Sequence, residues 1–183
     1  YGEGKMATPD QIFKFIENYF SERNIVKNKN LKAIVTAGPT KEYLDPVRFI
    51  TNNSSGKQGY EIAKSLAKFG VKTTLISGPS ILRKPENVNI VKVETADQMY
   101  AETKKALPVD IAVCTAAISD FKPEKYEEKK IKKNNISLNF KRNLDILEFL
   151  SKNNSQRPKL VIGFAAETNN ILKFAKDKKN NKY

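Results

Sequence analysis

Hydrophobic residues recur every three to four positions in the first part of the chain, a spacing typical of an amphipathic helix. The predicted helix starts at Thr8-Pro9-Asp10, a pattern found at helix N-termini. Its apolar face would consist of Ile12, Phe13, Ile16 and Phe20. The polar residues that follow, up to residue 30, predict a linker.

From residue 31 onwards, short β-rich apolar runs alternate with segments of helical spacing. The predicted strands lie within residues 31–38, 71–79, 88–95, 109–120 and 159–167. The predicted helices lie within residues 59–70, 95–107 and 144–152, and a last one starts at Asn169. This alternation predicts an α/β fold, a Rossmann-like three-layer sandwich with a mostly parallel sheet and helices on both faces.

Four predicted strands end in segments rich in small residues: TAGPT, ISGPS, TAAISD and GFAAET. The carboxyl ends of parallel strands meet at one edge of the sheet, where ligands bind in such folds. Small residues let the backbone approach a ligand closely, although they also simply form turns. The sequence therefore favours a binding site at this edge.

The segment RFITNNSSGKQG, residues 48–59, places small polar residues just before a predicted helix. It is not a Walker A loop, because Thr51 stands at the first glycine position and Gln58 replaces the final hydroxyl residue. The dinucleotide fingerprint G-x-G-x-x-G is absent as well. The positive end of a helix still favours an anion here, and simple capping of that helix is the alternative.

Composition narrows the possible chemistry. The 33 basic and 20 acidic residues give a net charge of +13, which suits nucleic acid, a membrane surface or phosphorylated small molecules, but Lys/Asn-rich runs are also typical of solvated surface. The absence of histidine excludes Ser-His and Cys-His catalytic pairs and His-ligated metals. The single cysteine, Cys114, permits no internal disulfide and is predicted to be a buried small residue, with a nucleophile as the alternative. A reducing cytoplasm is the simplest setting for a chain with this cysteine content. No apolar run approaches the about 20 residues of a membrane span.

A series of motifs resembles one enzyme family. TAGPTKEYLDPVRFITNNSSGKQGYEIA, LISGP, AAISDF, KIKK, NLDIL and GFAAETNN, in this order, are similar to phosphopantothenate–cysteine ligase, the ligase half of the bacterial bifunctional coenzyme A biosynthesis flavoprotein. GEGKMATPDQI is similar to the closing segment of the decarboxylase half. The resemblance implies a decarboxylase tail and linker in residues 1–30. It implies a ligase domain in residues 31–183 that is truncated at its C-terminus, in a chain that also starts without Met.

In this family, the carboxylate of 4′-phosphopantothenate attacks the α-phosphate of CTP and releases pyrophosphate. The amine of cysteine then attacks the acyl-cytidylate, which gives an amide and CMP. The resemblance implies CTP and Mg²⁺ here, with FMN confined to the fused decarboxylase half and not expected in this chain. Eukaryotic relatives tend to use ATP, so an ATP-dependent ligase is the alternative, and the metal ligands are not identified.

The resemblance implies three catalytic residues. Asn52 would donate a hydrogen bond to the acyl-cytidylate carbonyl, and Arg48 would bind a phosphate or carboxylate of the substrate. Lys130 opens KIKK, which is similar to a mobile lysine flap over the active site. The alternatives are helix capping for Asn52 and exposed surface charge for Arg48 and Lys130.

The nucleotide contacts implied by the resemblance come from the strand exits and two helices. The backbone of Cys114, Thr115 and Ala116 would run beside the base and offer it hydrogen-bonding groups. Asp120 would accept hydrogen bonds from the nucleotide or organise its metal. The other implied contacts are Lys130, Leu144, Asp145, Ile146, Leu147, Phe164, Lys178 and Lys182. Leu144 replaces the proline usual in the family. Core packing is the alternative for Phe164, and exposure to solvent is the alternative for the two C-terminal lysines.

The expected partners are the substrates 4′-phosphopantothenate, cysteine and CTP, the fused decarboxylase domain and a second copy of the chain. ISLNFKRN, residues 136–143, is a candidate dimer contact. Nucleic acid and membranes are not expected as partners. Two other classes remain as alternatives, a dehydrogenase-like nucleotide-binding protein and a basic nucleic-acid-binding module. The missing glycine fingerprint argues against the first, and the second depends on the net charge alone.

Overall fold

The structure is a computed structural model that describes residues 7–22, 30–132, 136–152 and 155–164. Strands in these residues are β1 (Lys32–Ala37), β2 (Lys41–Tyr43), β3 (Phe49–Thr51), β4 (Lys72–Ser77), β5 (Val88–Lys92), β6 (Ile111–Cys114), β7 (Phe121–Pro123), β8 (Phe140–Arg142) and β9 (Leu160–Gly163). Five of them form one sheet in the order β5–β4–β1–β6–β9, and every neighbouring pair is parallel. The chain runs outwards from β1 in both directions, so β1 and β6 flank the topological switch point where ligands bind in such folds.

Helices cover both faces of this sheet, as α1 (Pro9–Glu22), α2 (Lys57–Lys68), α3 (Ala96–Ala106) and α4 (Ile146–Ser151). Alternate residues of β1 point to opposite faces, so Val35 packs with α1 and α2, whereas Ile34 packs with α3 and α4. The predicted α/β three-layer sandwich is therefore confirmed. Among the helices that the structure describes, none is long and apolar enough to span a bilayer.

The helix α1 belongs to the same hydrophobic core as the sheet. Ile12 and Ile16 are buried in it, as the apolar spacing predicted, and the rings of Phe13 and Phe69 stack with centroids 3.6 Å apart. The side chain of Phe20 lies outside the described residues. The boundary drawn at residue 30 between a decarboxylase tail and a ligase domain stays a prediction.

Two small antiparallel sheets were not predicted. The hairpin β2–β3 follows the end of β1, and the pair β7–β8 follows the exit of β6. Each strand has only three residues, which is too short to produce a readable alternation of polar and apolar positions. Both pairs carry loops to the carboxyl edge of the main sheet, where the sequence predicted a site.

Gly59 is required for the contact between α2 and the end of β1. A Cβ atom at this position would lie 2.5 Å from the Cβ of Ala37 and would also collide with the hydroxyl of Thr115. We expect Gly59→Ala to lower the free energy of unfolding by about 1–3 kcal/mol, despite the better helix propensity of alanine. Urea unfolding measures this loss.

The matched control for this substitution is Lys64→Ala, an exposed position on the same helix. It should change the free energy of unfolding by no more than about 0.5 kcal/mol. Unchanged or increased stability of Gly59→Ala would contradict the packing role assigned to this glycine.

Candidate functional site

A cavity of about 720 Å³ opens at the carboxyl edge of the sheet, beside the switch point between β1 and β6. We call it the switch-point cavity. Its walls come from the ends of β1, β6 and β9, the loop before β7, and the start of α4. It is lined by Thr36, Cys114, Ala116, Ile118, Ser119, Asp120, Phe121, Arg142, Asn143, Leu144, Asp145, Ile146, Leu147, Glu148 and Phe164.

Many of the residues predicted to bind the nucleotide line this cavity together. They are Cys114, Ala116, Asp120, Leu144, Asp145, Ile146, Leu147 and Phe164. Residues up to 50 positions apart in the sequence therefore share one wall, because the ends of neighbouring parallel strands meet there. Phe164 also packs against the hydrophobic core, so its two predicted roles are compatible.

Thr115 does not line the switch-point cavity. Its hydroxyl donates a hydrogen bond to the carbonyl of Thr36 at 2.6 Å. The backbone N–H of Thr115 donates to the same carbonyl at 3.2 Å, and that of Ala116 donates to the Thr36 hydroxyl at 3.4 Å. These N–H groups are thus already engaged within the protein. A ligand beside this stretch would meet carbonyl oxygens and small side chains.

Acidic and amide groups dominate the polar wall of the cavity. Asp145 caps α4, since its Oδ1 accepts a hydrogen bond from the N–H of Glu148 at 2.9 Å. The side-chain amide of Asn143 donates to the carbonyl of Ser119 at 2.8 Å. Within the part of the chain that the structure describes, the buried Oδ1 of Asn143 has no hydrogen-bond partner. A ligand hydroxyl or amino group would satisfy this acceptor.

Asn52 lies next to the cavity wall. Its side-chain amide donates to the carbonyls of Ala117 and Ile118 at 3.3 and 3.0 Å. The helix α2 begins after Gly56, which is its N-cap residue with φ of 78°. The alternative interpretation of Asn52 as the cap of this helix is therefore wrong.

Arg48 forms an ion pair with Asp45, whose side chain is 0% exposed while that of Arg48 is 37% exposed. Its Nε and Nη2 donate to Oδ2 of Asp45 at 2.9 and 2.5 Å. Burial alone would raise the pKa of the Asp45 carboxyl, but hydrogen bonds from Arg48 and from three backbone N–H groups outweigh it and lower the pKa. Arg48 is thus a fixed group rather than a loose surface charge, and its contact with substrate stays a prediction.

Lys130 is exposed and does not line the switch-point cavity. The next residue, Ile131, contacts both members of the ion pair: its N–H donates to Asp45 at 3.1 Å, and its carbonyl accepts from Arg48 at 2.7 Å. Lys130 is therefore the sequence neighbour of a residue that contacts Arg48 directly. Lys178 and Lys182 lie outside the described residues.

A second cavity, of about 750 Å³, opens beside the exit of β4 and the start of α2. We call it the β4 cavity. Ser54 and Ser55 line it, together with Lys41 and Lys92, which the sequence reasoning missed. The ammonium group of Lys41 lies 4.7 Å from the ring centroid of Phe49. Lys41 follows TAGPT directly, so its position just after a strand exit was the signal available in the sequence.

The described residues contain no group of three or more His, Cys, Asp or Glu side chains arranged to hold a metal ion. This does not conflict with a magnesium–nucleotide complex. Magnesium in such sites is commonly held by substrate phosphates, with only one or two protein carboxylates. Asp120, exposed on the cavity wall, is a carboxylate in a suitable place.

Most of the chain matches the model of a known protein family. Residues 28–183 match the model of the DNA/pantothenate metabolism flavoprotein C-terminal domain. The chain belongs to this family. The resemblance to the ligase half of the coenzyme A biosynthesis flavoprotein is thereby confirmed at the level of family.

The relatives of this family domain include bifunctional proteins. The chain is 41% identical over 180 residues to the coenzyme A biosynthesis bifunctional protein CoaBC of Haemophilus influenzae, covering 97% of this chain and 44% of that protein. It is 38% identical to the CoaBC of Borreliella burgdorferi, covering 96% of this chain and 45% of that protein. The chain thus spans less than half the length of these curated relatives.

Solved structures support the fold. The C-terminal domain of a CoaBC protein superimposes with a TM-score of 0.71 at 37% identity, covering 85% of this chain and 75% of that one. A Cab2 mutant in complex with phosphopantothenate-cysteine superimposes with a TM-score of 0.66 at 18% identity, covering 96% and 78%. At that identity the second likeness concerns the fold alone.

Proposed function

We propose that this domain joins 4′-phosphopantothenate to cysteine, with CTP as the activating nucleotide and an acyl-cytidylate as intermediate. One observation carries the proposal. Asn52 is two residues before Ser54, which lies on the wall of the β4 cavity. The side-chain amide of Asn52 donates to the carbonyl of Ile118, which lies on the wall of the switch-point cavity. Two substrates, one in each cavity, would meet beside this amide.

The switch-point cavity suits the nucleoside part of the nucleotide. Among the described residues of its walls, three carboxylates outnumber the single cation, Arg142. These carboxylates belong to Asp120, Asp145 and Glu148. Carboxylates accept hydrogen bonds from ribose hydroxyls or a base amino group, but they repel phosphates. The buried acceptor of Asn143 fits the same donors. The triphosphate, as its magnesium complex, would therefore extend out of the cavity towards Asn52 and Lys130.

The β4 cavity suits the phosphate of 4′-phosphopantothenate. Lys41 and Lys92 outnumber the one carboxylate among the described residues of its wall, that of Glu94. The hydroxyl oxygens of Ser54 and Ser55 accept hydrogen bonds from the N–H groups of Gly56 and Lys57 at 3.3 and 3.4 Å. Their O–H groups remain able to donate to a phosphate, next to the positive end of α2.

This arrangement assigns a task to each proposed catalytic residue. The carboxylate of phosphopantothenate attacks the α-phosphorus, and pyrophosphate leaves with the former bridging oxygen. Lys130 would neutralise the charge that develops on the phosphates, and Arg48 would orient the attacking carboxylate or the phosphate. The cysteine amine then attacks the acyl carbon, CMP leaves, and the amide of Asn52 stabilises the oxyanion. No step requires a histidine, which the chain lacks.

CTP is proposed over ATP because the relatives compared above are bifunctional CoaBC proteins of bacteria. For bacterial fused enzymes of this kind, the sequence resemblance implies CTP as the nucleotide. The ATP-dependent ligase is the second candidate for the same site. The fused decarboxylase half, which would hold FMN, and a cytoplasmic location are proposed on the same grounds. The family match and the absence of a glycine fingerprint disfavour a dehydrogenase-like protein or a nucleic-acid-binding module.

The proposed chemistry is tested with ¹⁸O in both carboxylate oxygens of phosphopantothenate, using the complete protein with CTP, Mg²⁺ and cysteine. Attack on the α-phosphorus moves one labelled oxygen into CMP and leaves the other in the amide. We expect phosphopantothenate-dependent release of pyrophosphate and one ¹⁸O per CMP. Label in inorganic phosphate, with CDP as product, or no release of pyrophosphate would contradict the proposal.

We also propose that the domain forms a homodimer through the β7–β8 pair. Large apolar side chains are exposed there, namely Phe121, Ile136, Leu138 and Phe140. Phe140, which is 41% exposed, should become buried on association, so we expect Phe140→Glu to convert the dimer into a monomer in light-scattering measurements. The control Phe15→Glu makes the same change at an exposed phenylalanine of α1, outside residues 136–143, and should leave the dimer intact. A monomeric wild-type protein or a dimeric Phe140→Glu variant would contradict this contact.

A further inference from the structure

A short segment that carries Lys130 is attached to the loop before β3 at three points. We call residues 127–132 the lysine strap. The N–H of Glu127 donates to the carbonyl of Leu44 at 3.0 Å, and the N–H of Ile131 donates to the carboxylate of Asp45 at 3.1 Å. Arg48 completes the attachment by donating to the carbonyl of Ile131 at 2.7 Å.

Asp45 is the centre of this attachment. Its side chain is fully buried, and its two oxygens have separate tasks. Oδ1 accepts the N–H groups of Val47 and Arg48, both at 2.9 Å, and so shapes its own loop. Oδ2 faces Arg48 Nε, Arg48 Nη2 and the N–H of Ile131. One buried oxygen thus holds the Arg48 side chain and the strap in a common arrangement.

We propose that Asp45 is a positioning residue of the ligase reaction, which fixes Arg48 and the strap so that Lys130 reaches the reacting phosphates. This role rests on the proposed function, because it acts through two residues assigned to catalysis there. Asp45 itself is fully buried, so it would act through these residues rather than by contacting a substrate. Its carboxylate is needed because only an acceptor satisfies three donors that converge on one buried oxygen.

Asp45→Asn separates the two tasks. The variant keeps an oxygen for Val47 and Arg48, but it presents an NH₂ group to the three donors that now meet Oδ2. The matched control is Asp110→Asn. Asp110 also accepts one hydrogen bond from a backbone N–H, that of Lys32, and one from a cationic side chain, that of Lys159, both at 3.0 Å. It lies at the amino end of β6, away from the strap.

The first measurement is hydrogen exchange of the strap amides in the complete protein. We expect Asp45→Asn to increase exchange of residues 127–132 by about 10-fold to 100-fold, the loss expected for hydrogen bonds to a charged group. The second is the kinetics of pyrophosphate release. We expect kcat to fall about 10-fold or more while the KM for CTP changes less than about threefold, because the switch-point cavity is untouched. Asp110→Asn should change neither quantity beyond about twofold.

A second variant keeps the test decisive if Asp45→Asn does not fold. Ile131→Pro removes the N–H that donates to Asp45 and preserves the Asp45–Arg48 pair. It should lower kcat in the same way. Unchanged strap exchange or unchanged kcat in the folded variants would overturn the positioning role. A wild-type protein without phosphopantothenate-dependent activity would instead refute the proposed function, while the exchange data would still decide whether Asp45 holds the strap.

Discussion

Asn52→Asp should abolish amide formation almost completely while permitting the first half-reaction. The substitution keeps the size of the side chain but replaces its donor NH₂ group with a negatively charged oxygen. If Asn52 stabilises the oxyanion that forms when cysteine attacks, removing this donor lowers the rate of that step by about 10²–10³-fold. Attack of phosphopantothenate on CTP does not need the same donor, so the acyl-cytidylate should accumulate. Quenched single turnovers followed by mass spectrometry measure both species.

The matched control is the neighbouring Asn53→Asp. Asn53 is also exposed, and this substitution introduces the same charge one residue away. It should retain amide formation within about threefold. Asn52 also donates to the carbonyls of Ala117 and Ile118, so a purely structural role is the competing explanation. That role predicts an equal loss of both half-reactions and no accumulation of intermediate, which would contradict the assignment.

Lys130→Gln should have the second largest effect, this time on the release of pyrophosphate. Negative charge grows on the leaving phosphates during attack, and an ammonium group that closes over them stabilises the transition state more than the ground state. We expect kcat for pyrophosphate release to fall about 10²-fold. The pyrophosphate assay should show little change in the KM for 4′-phosphopantothenate, whose own phosphate is assigned to the β4 cavity.

Lys125→Gln provides the control for Lys130→Gln, since Lys125 is an exposed lysine just before the strap. A contribution from general positive charge would lower the activity of both variants equally and would disappear at high salt. A loss confined to Lys130→Gln would support a specific role. Equal activities of Lys130→Gln and the wild-type protein would remove Lys130 from the mechanism.

Much of the central fold could be predicted from the sequence because its elements are strongly patterned and bounded by clear turn and capping signals. The buried strand β6 has a nearly continuous apolar sequence, and α3 begins with a capping box formed by Thr95 and Gln98. Parallel order then follows from alternation of strands and helices, which places the strand exits at one edge. The shared wall of the switch-point cavity is a consequence of this order.

The features that the sequence did not reveal depend on contacts between distant residues. Asp45 and Ile131 are 86 positions apart, and no local pattern links them. Gly59 ends the segment that the sequence predicted to face an anion, but its position against Ala37 and Thr115 shows that helix packing requires this glycine. The strands of the β2–β3 hairpin are stabilised by pairing with each other, and their three-residue sequences show no apolar periodicity that would predict them.

Net charge also proved a poor guide to the local environment. The chain carries +13, yet the described wall of the switch-point cavity has more carboxylates than cations. A simple electrostatic reading would have placed the whole nucleotide in a basic groove. The arrangement instead favours a division, with the nucleoside among acidic and amide groups and the phosphates among lysines outside the cavity.

The most direct test of this account is a crystal structure of the complete protein with a CTP analogue whose α,β-bridge cannot be cleaved. We predict that the cytidine lies in the switch-point cavity, against Cys114 and Leu147, with a donor group directed at Oδ1 of Asn143. The α-phosphate should lie beside the amide of Asn52, with Lys130 over the outer phosphates. A nucleotide bound elsewhere, or bound in this cavity with its triphosphate pointing away from Asn52, would contradict the account.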